Sequence, residues 1–297
     1  MDRYFQKEII MAFSVNTNNN AMAALQSLNK TNKGLDQVSN RVSTGLKVAS
    51  TKDDSAAYNI ALGLKGNKSD LQAVTGSLSR AKSVTDVAVS GMEQIADTIN
   101  SMRTLAKQAS DAGISTATRS SYNDEFQALK SQMSTIIDSS SFDGTNLLKK
   151  LGGNVSALQS VNSIDTSAYV PDALSVTNRN YDLSIAGTST TLGNDSTLGT
   201  SDNVAATAMV KTLDEVAKTA KENLGVLGAA SRKIDGQLSF TSKLSDAMEA
   251  GIGNLVDADM AKEAAKLTAL QTKQQLGMQA LSIANQGPQS IGQLFRG

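Results

Sequence analysis

The chain of 297 residues contains no cysteine and no histidine. Without cysteine it has no disulfide bond and no thiolate metal site, and without histidine it lacks the most frequent general base and metal ligand. Catalytic schemes built on Ser-His, Cys-His or His-Glu-x-x-His are therefore excluded. A carboxylate pair or a lysine base stays formally open. No nucleophile–base set accompanies either of them, so we expect a non-catalytic protein with no metal site and no cofactor.

Tryptophan is also absent, aromatic residues make up only 4%, and 28 Lys and Arg balance 28 Asp and Glu. Such a chain builds thin helical seams more readily than one thick core; a seam here means a stripe of apolar positions along one helix face. The charge balance indicates neither nucleic acid nor an anionic membrane as partner. With no transmembrane-length stretch and no cleavable signal, we expect no membrane insertion, and either a cytosolic protein or one exported without a cleaved signal.

The strongest pattern lies between residues 71 and 109, where apolar positions alternate at spacings of three and four. It predicts one helix about 58 Å long, and its period of 3.5 residues is that of a coiled coil. A long helix in an ordinary bundle is the alternative. Every position except Thr85 is apolar: Leu71, Val74, Leu78, Ala81, Thr85, Ala88, Met92, Ile95, Ile99, Met102, Ala106 and Ala109.

A weaker seam lies near each end of the chain. The N-terminal heptad is interrupted by Asn32 and Ser39, which we expect to face water rather than to set the register. The C-terminal seam is separated from a stronger helix by a break near Gly251 and Gly253. The seam residues expected to serve assembly are Leu25, Leu28, Leu35, Val42, Leu267, Leu270, Leu281, Leu294 and Phe295. Because a two-helix pair with one narrow seam is marginal in water, we expect the ends to order only when copies assemble.

Between these seams the pattern predicts a third helix, capped by Thr116, that forms an antiparallel hairpin with the central helix. Residues 141–203 are rich in Gly, Ser, Thr, Asn and Asp, with short alternating pieces such as Tyr181, Leu183 and Ile185, and predict loops with a small β-hairpin. The expected fold is mainly α, a long antiparallel coiled-coil bundle with a small β-hairpin region. We expect an upstream extension at 1–10 with Met11 as the true start, an N-terminal helix and linker at 11–55, core helices at 56–140 and 204–251, and a C-terminal helix at 252–297.

Several short motifs occur in a characteristic order along both ends of the chain. They are residues 16–18 (NTN), 41–48 (RVSTGLKV), 52–57 (KDDSAA), 142–148 (FDGTNLL), 257–261 (DADMA) and 284–289 (ANQGPQ). On these residues the chain resembles bacterial flagellins over about residues 11–148 and 205–296. So many motifs in order make the resemblance specific.

The resemblance implies a subunit that crosses the envelope unfolded through the flagellar type III pathway and polymerises into the hollow, extracellular flagellar filament. It also implies that the terminal helices pair in the filament and line an inner tube, while the inner helices form the next shell. The segment 148–203 is too short for large outer domains, so a short form is expected. The implied partners are further copies of the chain, an export chaperone, and the junction and cap proteins.

One family motif departs from the usual pattern. Thr104 stands where the innate-receptor motif has an acid and Ser101 where a second arginine is usual, which argues against receptor sensing. A remnant of that motif stays at Arg103, Leu105 and Gln108. Two rivals to the filament subunit stay open: a hook–filament junction protein, and a coiled-coil adhesin or chaperone that closes as a small oligomer.

Overall fold

A computed structural model describes residues 18–160, 172–181 and 196–294, with side chains up to residue 286. Within these ranges the chain forms five helices and one pair of strands. The elements are α1 (Asn19–Thr44), α2 (Ser55–Ala109), α3 (Thr116–Ser139), β1 (Val155–Leu158), β2 (Ala173–Val176), α4 (Val204–Val256) and α5 (Met260–Leu294). They divide into a central unit, Gly66–Ala247, and a terminal unit made of Met1–Lys65 and Met248–Gly297.

The central unit is built on α2 and α4, which run antiparallel. Lys82 Nζ on α2 lies 3.1 Å from Asp235 Oδ1 on α4, and Arg103 Nε lies 2.5 Å from Asp214 Oδ1 further along. All of the core-seam residues predicted on α2 are buried in the structure, namely Leu71, Val74, Leu78, Ile95, Ile99 and Met102. Their 3.5-residue spacing keeps them on one face over the whole helix, which is why a single stripe can fill a long core.

Helix α3 forms a hairpin with α2 through a short link. Ser115 caps α3 by accepting a hydrogen bond from the Thr118 N–H at 3.1 Å, so the cap lies one residue before the predicted Thr116. The β/extended backbone of Ser115 orients its hydroxyl towards the free N–H groups of the first turn. Phe126 and Met133 then reach full burial in the core of the central unit.

The predicted β-hairpin consists of β1 and β2, antiparallel with Val155 opposite Val176 and Ala157 opposite Leu174. These four side chains are buried, while Ser156, Ala173 and Ser175 between or beside them are exposed and Leu158 is half-buried, which is the period-two alternation of a half-buried sheet. Tyr181, which the sequence places in a short alternating piece, is buried but lies outside the strands. The rest of that piece lies outside the described residues.

In the terminal unit, α1 ends at Gly45, whose left-handed backbone (φ +73°) supports an N–H donation to the Arg41 carbonyl. Asp54 begins α2 by accepting from the Ala57 N–H at 3.0 Å. The predicted break at Gly251 and Gly253 is wrong, because α4 continues through both glycines to Val256. The helix stops instead before α5, across residues 257–259, where the Asp259 carboxylate caps α5 through the Lys262 N–H at 3.1 Å.

Candidate assembly interface

The terminal helices α1 and α5 pack against each other antiparallel in one register. The Asn18 side chain donates to the Ala284 carbonyl at 2.7 Å, which ties the start of α1 to the distal part of α5. Near the middle, Gln274 Nε2 donates to Asn32 Oδ1 at 2.9 Å. At the other end the Arg41 guanidinium lies 3.7 Å from Glu263 Oε1. Three polar links spread along the pair therefore specify how the two helices align.

Small residues bring the two backbones close between these links. A Cβ added at Gly277 would stand 3.3 Å from Leu28 Cδ1, and one added at Gly34 would stand 3.6 Å from Leu270 Cδ1. Each leucine therefore packs over a position without a side chain on the partner helix. A larger residue at Gly277 would have to displace Leu28 by a few tenths of an ångström.

The face of α1 that meets α5 differs from the predicted heptad. Leu28, Leu35 and Val42 are half-buried as expected, but the second covered column is Ala24, Thr31 and Val38, whereas Leu25 and Ser39 of the predicted heptad are exposed. Val38 is the buried residue of this helix, at 6% exposure, whereas Leu25 is 48% exposed. The two columns lie about 100° apart on the helix, and the structure selects the one that buries Val38 and leaves Ser39 in water.

The two polar positions of the predicted heptad, Asn32 and Ser39, differ in their environment. Ser39 is exposed, in agreement with the sequence reasoning. Asn32 is half-buried and hydrogen-bonded to Gln274, so the expectation that it faces water is wrong. A side-chain amide at the edge of an apolar seam keeps its partner only in one register, because any slip leaves it unpaired.

On α5 the predicted seam residues Leu267, Leu270 and Leu281 are half-buried and none is fully buried. The side chain of Leu294 and all of Phe295 lie outside the described residues. One helix partner therefore covers only part of this seam.

Large apolar side chains are left exposed on the other sides of both helices. Leu276 and Ile283 are 57% and 70% exposed and lie seven residues apart, on the side of α5 away from Gln274 and Leu281. Met278 and, on α1, Met22 are exposed by 52% and 55%. Apolar side chains exposed around a thin helix pair are typical of a surface that other protein covers.

Glu263 is a residue of this pair that the sequence reasoning missed. Its side chain is 7% exposed; Oε1 lies 2.7 Å from Lys266 Nζ and near Arg41, while Oε2 has no hydrogen-bond partner within the described residues. From sequence alone, a glutamate in the first turn of a helix is interpreted as an exposed residue whose negative charge interacts favourably with the helix dipole. Only the approach of α1 buries it.

The receptor-motif remnant lies on α2 in the central unit. Arg103 forms the ion pair with Asp214, Leu105 is 7% exposed within the core, and Gln108 is exposed. Two of the three remnant side chains are therefore already engaged within the subunit.

Across the described ranges, no group of three His, Cys, Asp or Glu residues could hold a metal ion. The same ranges contain no helix whose apolar stretch is long enough to cross a membrane.

Comparison with known proteins decides what this helix pair belongs to. Residues 15–152 match the family model described as the bacterial flagellin N-terminal helical region, and residues 210–295 match the bacterial flagellin C-terminal helical region. The chain belongs to the flagellin family. Flagellin FljM of Caulobacter vibrioides is 39% identical over 283 residues, with 95% of this chain and 98% of that protein covered.

Other flagellins are similar over almost the whole chain. A flagellin of Brucella melitensis is 35% identical over 291 residues, covering 96% of this chain and 99% of that protein. Among solved structures, that of Bacillus cereus flagellin covers 56% of this chain and 88% of that chain, with 20% identity and a TM-score of 0.46.

As a flagellin, this chain is a structural subunit of the bacterial flagellar filament, which is extracellular, and it self-polymerises. Flagellins are structural proteins and not enzymes, so the expectation of a non-catalytic chain is confirmed by family membership. The predicted short form agrees with relatives of nearly the same length.

Proposed function

We propose that this flagellin polymerises through its terminal helix pair. The observation that carries the proposal is the set of exposed Met, Leu and Ile side chains around a seam that α1 and α5 alone bury only in part. The residues assigned to assembly are those of the two terminal seams: Leu25, Leu28, Leu35, Val42, Leu267, Leu270, Leu281, Leu294 and Phe295.

The energy involved explains why several neighbours are needed. Covering five exposed large side chains at about 1.5–3 kcal/mol each is worth roughly 8–15 kcal/mol at most. Association itself costs about 4–15 kcal/mol in lost freedom. One neighbour that covers one side therefore does not hold a subunit, whereas neighbours on several sides do. The same balance supports ordering of the ends on assembly. In a lone α1–α5 pair, the free energy gained by burying one thin seam barely exceeds the conformational entropy lost in ordering the two helices.

We assign the layers of the subunit as the family resemblance implies. Residues 11–55 and 252–297 form the inner-tube domain, residues 56–140 and 204–251 the core helices, and residues 141–203 the surface segment. The division of the chain into a terminal and a central unit, with boundaries after residues 65 and 247, supports this assignment.

The finer partners follow from the same surfaces. A chain exported unfolded through the flagellar type III pathway exposes its apolar terminal segments in the cell before export. We therefore expect an export chaperone to bind these segments there. Junction and cap proteins are expected to pack on the terminal helices of the first and last subunits. Innate-receptor recognition through Arg103, Leu105 and Gln108 is not expected, because Arg103 pairs with Asp214 and Leu105 is buried.

Salt-seeded polymerisation of the purified chain, read by sedimentation and negative-stain microscopy, tests the assembly proposal. We expect long tubes from the full chain and none from a copy truncated after Asn285. Leu281→Asp should also block polymerisation, because it places a carboxylate in the seam without a partner. The matched control is Ser282→Asp, which adds the same charge at an exposed neighbouring position and should still polymerise.

Discrete particles of fixed size from the full chain would contradict the proposal and favour the junction protein or the closed coiled coil. Long filaments from Leu281→Asp would show that the terminal seam is not the assembly surface. Amide hydrogen exchange measured on monomers and on filaments tests the ordering of the ends. Equal protection of α1 and α5 in both states would contradict it.

A further inference from the structure

The terminal unit contains a short pairing between the segment after α1 and the end of α4. The Lys47 N–H donates to the Val256 carbonyl at 2.7 Å, the Val48 N–H donates to the same carbonyl at 3.2 Å, and the Ala258 N–H donates to the Gly45 carbonyl at 2.9 Å. These bonds hold the segment beside the first turns of α2. Val48 and Val256 are both 4% exposed there, in a small apolar cluster separate from the main core.

An open apolar pocket of about 110 Å³ lies against this cluster. Ala61, at 2% exposure, and Ala49 are the smallest side chains in the lining, while Leu62 is 57% exposed and Lys65 adds a charge. The other apolar lining comes from Leu46, Val48, Tyr58 and Val256.

The size of the pocket and the chemistry of its lining favour an aliphatic side chain as its occupant. An apolar cavity of about 150 Å³ accommodates benzene, so this smaller pocket fits the branched end of a leucine or isoleucine side chain. A lining that is mostly aliphatic offers few polar atoms to orient a polar small molecule.

The chain itself supplies both the group and the copy that carries it. It forms a homopolymer, so a second copy is the macromolecule that this surface meets at high density. On the same unit, Leu276 and Ile283 are aliphatic side chains of the right size that α1 leaves uncovered. A pocket and a complementary side chain at different places on one chain make a heterologous contact, which propagates into an open helical polymer instead of closing as a dimer.

We propose that the pocket beside Ala61 and Leu62 receives a side chain of the Leu276–Ile283 stripe from a second copy. The assignment rests on the filament-forming function above and names a contact beyond the seam between α1 and α5. Each subunit thereby offers a pocket to one neighbour and a side chain to another.

Two exposed residues of α2 provide a matched test. Leu62 lines the pocket and Ile60 does not, yet they are 57% and 56% exposed. We expect Leu62→Asp to raise the critical concentration for polymerisation by about tenfold or more, since a charge at the pocket mouth removes the burial of one aliphatic side chain. Ile60→Asp adds the same charge and should raise it by less than about threefold. Circular dichroism of both monomers, whose substituted positions are largely exposed, verifies that each is folded.

The absence of cysteine allows the occupant to be identified. Leu62→Cys is copolymerised with either Leu276→Cys or Ile283→Cys under mild oxidation and examined on a non-reducing gel. We expect a disulfide-linked dimer with at least one of the two partners in filaments and none in monomers. Ile60→Cys, tested with the same partners, should give none.

Equal critical concentrations for Leu62→Asp and Ile60→Asp would overturn the proposal, and so would filaments that give no disulfide with either α5 position. In both cases the unsubstituted chain still polymerises, so the filament function stands while the pocket contact fails. An unsubstituted chain that forms no filaments refutes both together.

Discussion

Arg119 offers the sharpest test of how the central unit is held together. This residue of α3 is 4% exposed, and its guanidinium donates to the Ala109 carbonyl at 3.1 Å and to the Asp111 carbonyl at 3.0 Å. Those carbonyls lie at the C-terminal end of α2, where the helix has no further N–H groups to offer. A buried arginine therefore ties the end of one helix to the start of the next.

We expect Arg119→Met to lower the free energy of unfolding by about 2–4 kcal/mol. Two charge-assisted hydrogen bonds contribute about 1.5–3 kcal/mol each, and methionine recovers part of this because the charge no longer has to be desolvated. The Ala109 carbonyl is left without that partner on a fully buried residue. For a unit of this size, about 2–4 °C of Tm is lost per kcal/mol, so Tm should fall by about 5–15 °C.

Urea and thermal unfolding followed by far-ultraviolet circular dichroism measure the change. The matched control is Arg103→Met, which removes a half-exposed ion pair with Asp214 and should cost less than about 1 kcal/mol. If Arg119→Met costs no more than this control, the two backbone hydrogen bonds do not hold the hairpin, and the reasoning is refuted.

Three further predictions concern the core, the register and the pH dependence. Ile99→Asp should unfold the central unit, because it places a carboxylate at a fully buried position; an unchanged melting curve would contradict this. Replacing both Asn32 and Gln274 by leucine should raise filament melting temperature while broadening the spread of helical twist seen by electron microscopy; a single unchanged twist would show that the pair does not set the register. Burial raises the pKa of Tyr181, and the hydrogen bond that Lys82 donates to Asp86 raises the pKa of Lys82. The stabilisation that both groups give is therefore complete below about pH 10 and is lost as the pH rises further. Tyr181→Phe should make that alkaline loss shallower in unfolding measured against pH, and an identical profile would exclude Tyr181 as a contributor.

Much of the fold was predictable because its dominant signal is local. The stripe from Leu71 to Ala109 repeats at 3.5 residues, and a helix with that pattern has one apolar face whatever lies opposite it. The hairpin was predictable from the short link between α2 and α3. The β-hairpin region was predictable as a composition change, and its two described strands lie at Val155–Leu158 and Ala173–Val176.

The assembly surface was predictable only in part. Periodicity located both terminal seams, yet it could not choose between the column that contains Val38 and the one that contains Ser39. In a weak heptad, neighbouring columns contain similar numbers of apolar residues. Helix continuation through Gly251 was missed for a related reason. An isolated helical glycine costs about 1 kcal/mol, which the packing of Ile252 and Val256 in the terminal unit offsets.

The sequence by itself determined the helical periods, the balance of charge, the absence of cysteine and histidine, and the motifs of the flagellin family. These properties depend on residue type and on spacing within a few turns. The tertiary structure alone decided which face of α1 meets α5, that Glu263 and Arg119 are buried, and that residues after α1 pair with the end of α4 to border a pocket. Each of these depends on atoms far apart in the chain, whose approach is set by the packing of whole helices and leaves no mark on local spacing.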